Sequence, residues 1–586
     1  MNIDPFRLSV SGFWKIIKND KKIKLLFLIL LILFASIFEV FTIGAVIPFL
    51  SVLIDPGSLF QNEYFSPVIL SMGIVEPIDL ILPVTLGFVF LSLFSGFIRT
   101  LLLAFQTRLS YDIGADLSLR IFERTIKQPF EFFLKKNSSE IIPAVSIKAD
   151  QIVSGVIIPF LNMISSIFLL VFIFFALVFI NPYITITSVL MFGALYFSVF
   201  FVIRLKLVEN SKTIDIKTNN VVKTIQEGIG GIRDIIIDSS HSLFTDIFKR
   251  EDRLLRTAKS KNFLLNHTPR LIIESIGIAI IAVVAYLYIQ LSEVDNIIPT
   301  LGALALGSQR MLPLMNQVYL AFSSISGNYA IMHETLSYAN LPVYSSEISH
   351  DELKFDKDIT LKNVWFKYDE SQDWVLKNIN LIIKKGERVG IIGPTGCGKS
   401  TLLDLMMGLL SPSKGSVMVD GKLLNSNNIK HWQSLISHIP QNIFLLDDSI
   451  GKNIVFGAKK KEIDLSKVEK ALKDASLLDF TKGLNGETKN FVGERGLRLS
   501  GGQKQRIGIA RALYKGRDVI FLDEATSALD QDTEKNVMSS IYREKATLVM
   551  IAHRLSSLES CSRIVKLDSG SIKNDGKFEE ICGKKV

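Results

Sequence analysis

A glycine-rich run late in the chain has the residue types and the spacing needed to hold nucleotide phosphates. It fits the pattern G-x-x-x-x-G-K-[ST], follows the apolar run 388–392 and precedes an apolar segment from Leu402. Glycines let consecutive backbone N–H groups face phosphate oxygens where a helix begins. Lys399 is expected to reach the β- and γ-phosphates, and the Ser400 hydroxyl to ligate Mg²⁺. The residues of this predicted phosphate site are Gly393, Pro394, Thr395, Gly396, Cys397, Gly398, Lys399, Ser400 and Thr401.

Two adjacent carboxylates end a second apolar run, residues 519–522. An acidic residue at the end of a buried strand beside a phosphate loop is placed to hold the Mg²⁺ shell, which assigns Asp523 as a metal ligand. The next residue, Glu524, is placed to polarise an attacking water molecule as a general base. The pair therefore indicates nucleotide hydrolysis rather than nucleotide binding alone.

The elements around these residues form two contrasting parts of the chain. After about residue 345, strands alternate with amphipathic helices, which predicts an α/β P-loop domain. Before about residue 325 the chain carries six apolar stretches, each long enough to cross a bilayer at about 20 residues per span. These stretches are 25–54, 79–105, 157–180, 183–203, 271–291 and 297–323. We therefore predict an α-helical transmembrane domain over 1–340, a linker over 341–352 and the P-loop domain over 353–586.

The composition of the whole chain agrees with a membrane protein that carries a soluble part. Of its 586 residues, 48% are hydrophobic and 21% are charged, and the mean hydropathy is +0.34. A soluble globular chain rarely averages positive hydropathy, and disorder needs the opposite composition.

The charges between the spans predict the orientation. Lys and Arg crowd the segment before the first span and the two long loops, 106–155 and 204–270, whereas loops 55–77, 181–182 and 292–296 have neither residue. The positive-inside rule places both termini and both long loops in the cytosol. Because these basic residues face an anionic leaflet, the net charge of +9 requires no nucleic-acid partner.

The long loops are predicted to continue spans two to five as helices, with two breaks at their tips. One break is Gln128-Pro129-Phe130-Glu131-Phe132-Phe133, and the other runs from Glu227 through Gly228, Gly230 and Gly231 to Asp234. Each could form a short turn and helix that touches a cytosolic domain, although an ordinary solvated loop is the alternative. The external loop 55–77 could form a short interfacial helix.

A third motif, Leu499-Ser500-Gly501-Gly502-Gln503, precedes another predicted helix. Together with the phosphate loop it resembles the nucleotide-binding domain of ABC transporters. Six spans followed by one such domain resemble an ABC exporter half-transporter, so the resemblance covers the whole chain. It implies ATP and Mg²⁺ as cofactors.

The resemblance extends to further residues and implies a role for each. Tyr368 matches the aromatic that stacks on adenine, and Gln441 matches the glutamine that links Mg²⁺ and water to the membrane domain. His553, in Ile551-Ala-His-Arg-Leu555, matches the switch histidine that contacts the γ-phosphate. The segment 527–530, Ser-Ala-Leu-Asp, resembles the dimer-contacting loop.

The resemblance also implies a partner. In ABC proteins the phosphate loop of one domain is completed by the signature of another, here Ser500, Gly501, Gly502 and Gln503. A chain with one copy of each must pair, most simply as a two-fold homodimer. ATP would then favour the closed dimer, and hydrolysis would release it. Contact between the Gln441 region and the two loop tips would carry this change to the membrane helices.

Three arginines within or beside the spans are candidates for substrate contact, because ionisable residues in a membrane are costly. Counting residues along the helices puts Arg99, Arg270 and Arg310 in the inner half of the bilayer. Arginine suits bidentate contact with phosphate, so we expect an anionic lipid head group. The structural alternatives are snorkelling of Arg99, a pair between Arg270 and Glu274, and neutralisation of Arg310 by Glu39.

The spacing of these residues, with segments 378–386 and 432–453, is similar to that of bacterial flippases for lipid-linked oligosaccharides. That likeness implies export of a polyprenyl-diphosphate-linked oligosaccharide from the inner to the outer leaflet of a bacterial cytoplasmic membrane. Alternative cargoes are lipid A, amphiphilic drugs and peptides, and an alternative class is a ligand-gated channel or sensor on the same scaffold. The spans exclude a soluble ABC ATPase of DNA repair or translation.

Overall fold

The computed structural model describes residues 17–583 apart from 55, 58–65, 72–73, 75, 181, 292–296, 345–352, 371–372, 459–462, 485 and 553. The chain divides into two compact units. The membrane unit comprises residues up to Gln128 together with Lys135–Val343, and the nucleotide unit comprises Pro129–Leu134 with Tyr344–Val586. Most of the expected linker, 345–352, lies outside the described residues.

The membrane unit is helical, as its apolar stretches predict. The helices before residue 340 are α1 (Asn19–Ile54), α2 (Ser66–Ser71), α3 (Ile81–Ile126), α4 (Phe130–Lys135), α5 (Ser138–Val145), α6 (Ile147–Ile152), α7 (Ile158–Ile180), α8 (Pro182–Gly230), α9 (Ile232–Ile237), α10 (His241–Leu291), α11 (Ile297–Gly327) and α12 (Tyr329–Ala339). Of these, α4 belongs almost wholly to the nucleotide unit and the others belong to the membrane unit. In the described residues, three helices are long and apolar enough to cross a membrane: Asn19–Leu53, Pro77–Ile126 and Ile147–Ala176. The other three expected spans fall on α8, α10 and α11, in which some side chains lie outside the described set.

Three of the helices are much longer than a bilayer requires. Helices α3, α8 and α10 have 46, 49 and 51 residues, or roughly 70–75 Å at 1.5 Å per residue, against ~30 Å of hydrocarbon. This confirms that the spans continue as helices beyond the membrane.

The two predicted breaks have different outcomes. After Pro129 the chain forms the short helix α4, where Glu131 Oε1 accepts a hydrogen bond of 3.0 Å from the backbone N–H of Ser411. That bond lies outside the Gln441 segment, where the resemblance places the contact. In the second segment, Gly228 and Gly230 remain inside α8, and the interruption is at Gly231. Packing of α8 against other helices offsets the loss of helix stability caused by glycine, about 1 kcal/mol per residue relative to alanine.

Side chains at the C-terminal end of α3, and Gln128 just beyond it, bind the end of α12 and the residues that follow it. Arg120, Arg124 and Gln128 lie one helical turn apart and donate hydrogen bonds to the backbone carbonyls of Ala339, Leu341 and Pro342, respectively. These bonds satisfy carbonyl groups that a helix end otherwise leaves unpaired. The residues that leave the membrane unit are therefore held by side chains of α3.

A single π-helical turn, Val153–Ile157, joins α6 to α7. The Ser324 hydroxyl donates a hydrogen bond of 2.8 Å to the carbonyl of Gly155. A Cβ atom at Gly155 would lie 2.4 Å from Nδ2 of Asn328. Glycine is therefore required for the close approach of α11 to this turn.

One lysine is fully buried in the extension beyond the spans. The side chain of Lys148 has no exposed surface, and its Nζ lies 2.6 Å from Oδ1 of Asp215 and in contact with Oε2 of Glu334. The three residues come from α6, α8 and α12, so a single cation joins three helices. Burial raises the pKa of Glu334, Asp215 raises it further, and Lys148 opposes both effects.

The nucleotide unit contains two sheets built from aliphatic, β-branched runs. Its strands are β1 (Asp358–Phe366), β2 (Leu376–Lys384), β3 (Arg388–Ile392), β4 (Lys414–Val419), β5 (Lys422–Leu423), β6 (Ile436–Ile439), β7 (Val519–Asp523), β8 (Thr547–Ile551), β9 (Arg563–Asp568) and β10 (Ser571–Gly576). The antiparallel sheet has the order β2-β1-β4-β5, and the second sheet has the order β10-β9-β3-β8-β7-β6. Strands β9, β3, β8, β7 and β6 run parallel, so their carboxyl ends meet at one edge.

Helices flank these sheets and bury their apolar faces, as expected for an α/β domain. They are α13 (Lys399–Met406), α14 (Ile429–Ser434), α15 (Ile450–Ile454), α16 (Leu465–Asp474), α17 (Leu478–Lys482), α18 (Gly501–Lys515), α19 (Gln531–Arg543), α20 (Leu555–Leu558) and α21 (Phe578–Cys582). The predicted fold class, a helical transmembrane domain with an α/β nucleotide-binding domain, is confirmed.

Candidate nucleotide-binding site

The phosphate loop lies at the carboxyl end of β3, between β3 and the first turn of α13. Gly398 is the N-cap of α13 and has φ = 100°, a left-handed conformation that side chains other than glycine rarely adopt. A Cβ atom there would also lie 2.8 Å from Cδ2 of Leu376. The glycine spacing in the sequence is therefore explained by backbone geometry, and the open N–H groups of α13 face the loop.

The Lys399 ammonium group is held by the loop itself. Its Nζ donates to the carbonyls of Gly393 at 2.8 Å and Pro394 at 3.0 Å, and the residue is buried. Because an ammonium group has three donors, these two bonds leave it oriented over the loop with one donor for another acceptor. This arrangement fits the phosphate role predicted for Lys399.

The two carboxylates stand at the same sheet edge. Asp523 ends β7, two strands from β3, and Glu524 follows it with φ = 52°. A positive φ is uncommon for a residue other than glycine, and such strain concentrates at functional sites. The Gln441 amide donates a 2.9 Å hydrogen bond from Nε2 to Oε2 of Glu524. The structure therefore brings the predicted base next to Gln441, which lies 83 positions earlier in the sequence.

A third carboxyl at this edge is absent from the predicted set. Burial in α13, together with the smaller effect of the negative charge of Asp523, raises the pKa of Asp404 to about 6. Asp404 is four residues past Ser400 and sits among apolar residues in sequence, so it reads as an ordinary polar position of the helix. Only the folded structure shows that the carboxyl of Asp404 is close enough to Asp523 for the two groups to repel each other.

Tyr368, the predicted adenine-stacking residue, stands beside the loop. Its ring is 39% exposed, and its hydroxyl is 2.9 Å from Oγ1 of Thr401. The exposed face is available to a planar base, and the bond to Thr401 fixes the ring relative to α13. Stacking of a base on an aromatic side chain contributes about 1–3 kcal/mol to binding.

Replacing the ring should weaken ATP binding. Tyr368→Ala is expected to raise the Kd for ATP roughly tenfold, in line with the loss of one stacking contact. Titration of the purified protein with a fluorescent ATP analogue measures the change. Tyr368→Trp keeps a stacking face and Tyr368→Phe removes only the bond to Thr401. Equal affinities for the alanine variant and the wild type would rule out stacking.

The signature segment opens α18 as predicted. Ser500 is the N-cap, and it forms a reciprocal capping box with Gln503 in which each residue bonds to the other's backbone. Gln505 in the same helix donates to the hydroxyl of Ser527 and accepts from the N–H of Ala528. The signature helix is thus tied to the loop that follows Glu524. His553 lies outside the described residues.

The structure changes the interpretation of the three arginines. Glu39 is buried and accepts hydrogen bonds from Ser95 at 2.9 Å and from Arg99 at 3.4 Å. Arg270 pairs with Glu274 at 2.7 Å, as the alternative predicts. Arg310 lies in α11, and its side chain is outside the described set.

The pairing relates Arg99 to the charged end of α1. The partner Glu39 is fifteen residues, or ~22 Å at helical rise, from Lys24, which pairs with Asp112 near the N-terminal end of α1. The side chain of Arg99 is 58% exposed even though it is paired.

Two family models match the chain. Residues 376–527 match the ABC transporter model, and residues 23–304 match the ABC transporter transmembrane region. Together they span most of the chain, in the order that the sequence predicts. The second match and the candidate spans agree that the protein crosses the membrane several times.

Several curated proteins and one solved structure are similar along most of their length. An ATP-dependent lipid A-core flippase of Cupriavidus metallidurans is 27% identical, over 82% of this chain and 81% of that protein. An ATP-dependent lipid A-core flippase of Ralstonia nicotianae is 26% identical, over 82% of each chain. A bacterial Atm1-family ABC exporter, solved with ATP bound, superposes with a TM-score of 0.82 at 21% identity and covers 96% of both chains.

Proposed function

Because this chain belongs to the ABC transporter family, we propose that it is an ATP-driven exporter that flips a phosphorylated glycolipid between membrane leaflets. The observation that carries this proposal is the presence of a membrane-helix domain and an intact-looking nucleotide site in one chain. Glu524 and Gln441 are already in contact beside the phosphate loop in this site. A domain that only bound ATP would have no need of a strained, oriented carboxylate at that position.

Each side chain at the sheet edge would have a separate role in ATP hydrolysis. Backbone N–H groups of the loop and Lys399 bind and orient the phosphates. The Glu524 carboxylate accepts a proton from the attacking water, and the amide of Gln441 holds Oε2 of that carboxylate in a fixed direction. His553 is proposed to contact the γ-phosphate, as in similar ABC proteins.

The donors present also fit Mg²⁺, which prefers oxygen ligands and a nucleotide as co-ligand rather than an all-protein cage. Ser400 supplies a hydroxyl, Asp523 a carboxylate and Gln441 an amide oxygen. Burial, and to a smaller extent the negative charge of Asp523, raises the pKa of Asp404, and a divalent cation would offset the repulsion between these two carboxylates. Bound Mg²⁺ would neutralise charge on the phosphates during transfer.

We further propose that the protein acts as a homodimer. Ser500, Gly501, Gly502 and Gln503 form an N-terminal helix turn that is well suited to a phosphate of a nucleotide held by another copy. Two copies would then bind two ATP molecules between them. Separation after hydrolysis would let the membrane helices alternate between inward and outward cavities.

The proposed cargo combines phosphate, sugars and lipid tails. The names of the relatives favour lipid A over the polyprenyl-diphosphate-linked oligosaccharide that the sequence-based resemblance predicts. Both lipids carry phosphate on a saccharide head group, and Arg99 presents an exposed guanidinium within the second long helix of the membrane unit. We therefore rank a lipid A-type glycolipid first and the polyprenyl-linked lipid second.

The proposed location is a bacterial cytoplasmic membrane, with both termini in the cytosol. The orientation rests on the Lys and Arg bias of the loops. Ion pairs agree with it, because Lys18 and Lys21 meet Asp116 and Asp112 in a charged band at one end of α1 and α3.

Reconstitution into liposomes tests the proposal. Separate vesicles contain fluorescent lipid A, a polyprenyl-diphosphate oligosaccharide, phosphatidylcholine or a drug panel, and leaflet accessibility and ATP hydrolysis are recorded for each. We expect ATP-dependent flipping of lipid A and stimulation of hydrolysis by it. Flipping of the polyprenyl lipid alone would reverse the ranking, and ATP-gated ion current without flipping would replace the transporter proposal by a channel.

Arg99 gives a residue-level prediction for cargo binding. Arg99→Gln is expected to lower glycolipid flipping about tenfold, because a charge-assisted hydrogen bond contributes about 1.5–3 kcal/mol, while basal ATP hydrolysis changes less than about twofold. Parallel measurement of flipping and phosphate release in one vesicle preparation separates the two effects.

Two further variants control this experiment. Arg99→Lys keeps the charge near Glu39 but loses the two-pronged geometry, so it should recover only part of the flipping. Arg256→Gln removes an arginine that pairs with Asp252 one helical turn away on α10 and should leave flipping intact. Unchanged flipping in Arg99→Gln would eliminate Arg99 as a cargo contact.

A further inference from the structure

A buried carboxylate in α19 lies outside every motif of the sequence. Glu534 is only 5% exposed, and it occupies the first turn of α19, just after the loop that follows Glu524. Burying a carboxylate is costly unless its oxygens are bonded. The hydrogen-bond partners of the Glu534 carboxylate therefore show which segments it holds together.

Both carboxylate oxygens of Glu534 have partners from two separate segments. Oε1 accepts hydrogen bonds from the hydroxyls of Thr526, at 2.8 Å, and Ser557. Oε2 accepts one from Arg554 at 3.2 Å. Thr526 is two residues past Glu524, whereas Arg554 directly follows His553 in the sequence.

Arg554 also joins the same two segments directly, through further N–H groups of its guanidinium. Its guanidinium donates to the carbonyl of Leu529 at 3.1 Å and to that of Ser527 at 3.3 Å. The loop after Glu524 and the segment after His553 are therefore joined twice, once through the carboxylate and once directly. Charge-assisted bonds of this kind are the stronger class of hydrogen bond.

We propose that Glu534 is a positioning residue that holds, through Arg554, the loop after the proposed base Glu524 against the segment that begins at Arg554, the residue next in sequence to the proposed switch residue His553. This inference rests on the proposed ATP hydrolysis. The carboxylate orients Arg554, and Arg554 holds the carbonyls of Ser527 and Leu529. Hydrolysis needs the base and the γ-phosphate contact in place together, whereas ATP binding uses the phosphate loop and Tyr368, which this network does not touch.

The test is Glu534→Gln in the full-length protein. Glutamine keeps an oxygen for Thr526 and Ser557 but presents an N–H donor toward the donors of Arg554. We expect kcat for ATP to fall about tenfold or more, as for other residues that orient a catalytic group, with KM within about twofold. Arg554→Gln should give the same loss, and the double variant should lose no more than either single variant.

Glu387→Gln is the matched control. Glu387 also accepts from an arginine, Arg563 at 3.4 Å, but it stands at the end of β3 opposite the phosphate loop. Thermal midpoints of all variants are recorded. Equal kcat values for Glu534→Gln and Glu387→Gln, or additive losses in the double variant, would overturn the inference. If Glu534→Gln does not fold, Arg554→Gln replaces it in the test, because the side chain of Arg554 is half-exposed. A kcat equal to that of Glu387→Gln would then overturn the inference. Absent ATP hydrolysis in the wild type would instead refute the proposed function.

Discussion

Replacing Glu524 by glutamine is expected to reduce ATP turnover by two to four orders of magnitude, since a positioned general base contributes about 10²–10⁴-fold. The amide has almost the same shape as the carboxylate but cannot accept the proton of water. ATP binding should survive, because Lys399 and the phosphate loop are untouched. Phosphate release from Mg²⁺-ATP measures turnover, and equilibrium binding of labelled ATP measures affinity.

The same variant tests the proposed dimer. If hydrolysis is what separates two copies, Glu524→Gln with ATP should accumulate as a closed dimer, visible by cross-linking or light scattering. Glu544→Gln, at the far end of α19, controls for removal of a carboxylate from the same domain. Turnover that stays within tenfold of the wild type would exclude Glu524 as the base.

Lys148→Met should destabilise the membrane unit strongly. Removing one partner of a buried ion pair costs about 3–5 kcal/mol, because the remaining charge is left uncompensated. In this variant both Asp215 and Glu334 would lose their cation. The thermal midpoint of the detergent-solubilised protein measures the loss. Lys217→Met is the matched control, since Lys217 pairs with Glu251 at a partly exposed position and should cost less.

The destabilisation of Lys148→Met should depend on pH with a defined sign. Burial raises the pKa of Glu334 above its ordinary value, so the folded protein binds this proton more tightly than the unfolded chain does. Acidification through that range should therefore restore part of the lost stability. Adding Glu334→Gln should restore it at all pH values. A midpoint equal to that of Lys217→Met would contradict the role of the buried lysine.

The sequence predicts the nucleotide loop well because local backbone geometry dictates its residues. Gly398 is fixed by its left-handed φ, and Ser500 by its role as a helix cap. The break after Gln128 is predicted for the same reason, since proline stops a helix. The break predicted between Glu227 and Asp234 is also confirmed, at Gly231 and before the short helix α9, although α8 continues through Gly228 because a helix cost of about 1 kcal/mol is small compared with tertiary packing.

The contacts that the sequence does not predict join residues far apart in the chain. Lys148 meets partners 67 and 186 positions away, and Glu39 meets Arg99, 60 positions away. No periodicity specifies which of several buried charges will pair, because that depends on how the helices are rotated against one another. Glu534 and Asp404 were missed for a related reason, since each looks like a surface residue of an amphipathic helix.

The tie between α3 and the end of α12 has a consequence for sequence drift. Arg120, Arg124 and Gln128 grip main-chain carbonyls, which every amino acid carries. Substitutions at positions 340–342 therefore leave these hydrogen bonds unaltered, whereas position 339 is fully buried and must stay small. Inserting or deleting a residue after position 339 would move the acceptors at 341 and 342 out of register, so descendants of this gene should vary in the residues of 340–342 but hardly at all in the length of that stretch.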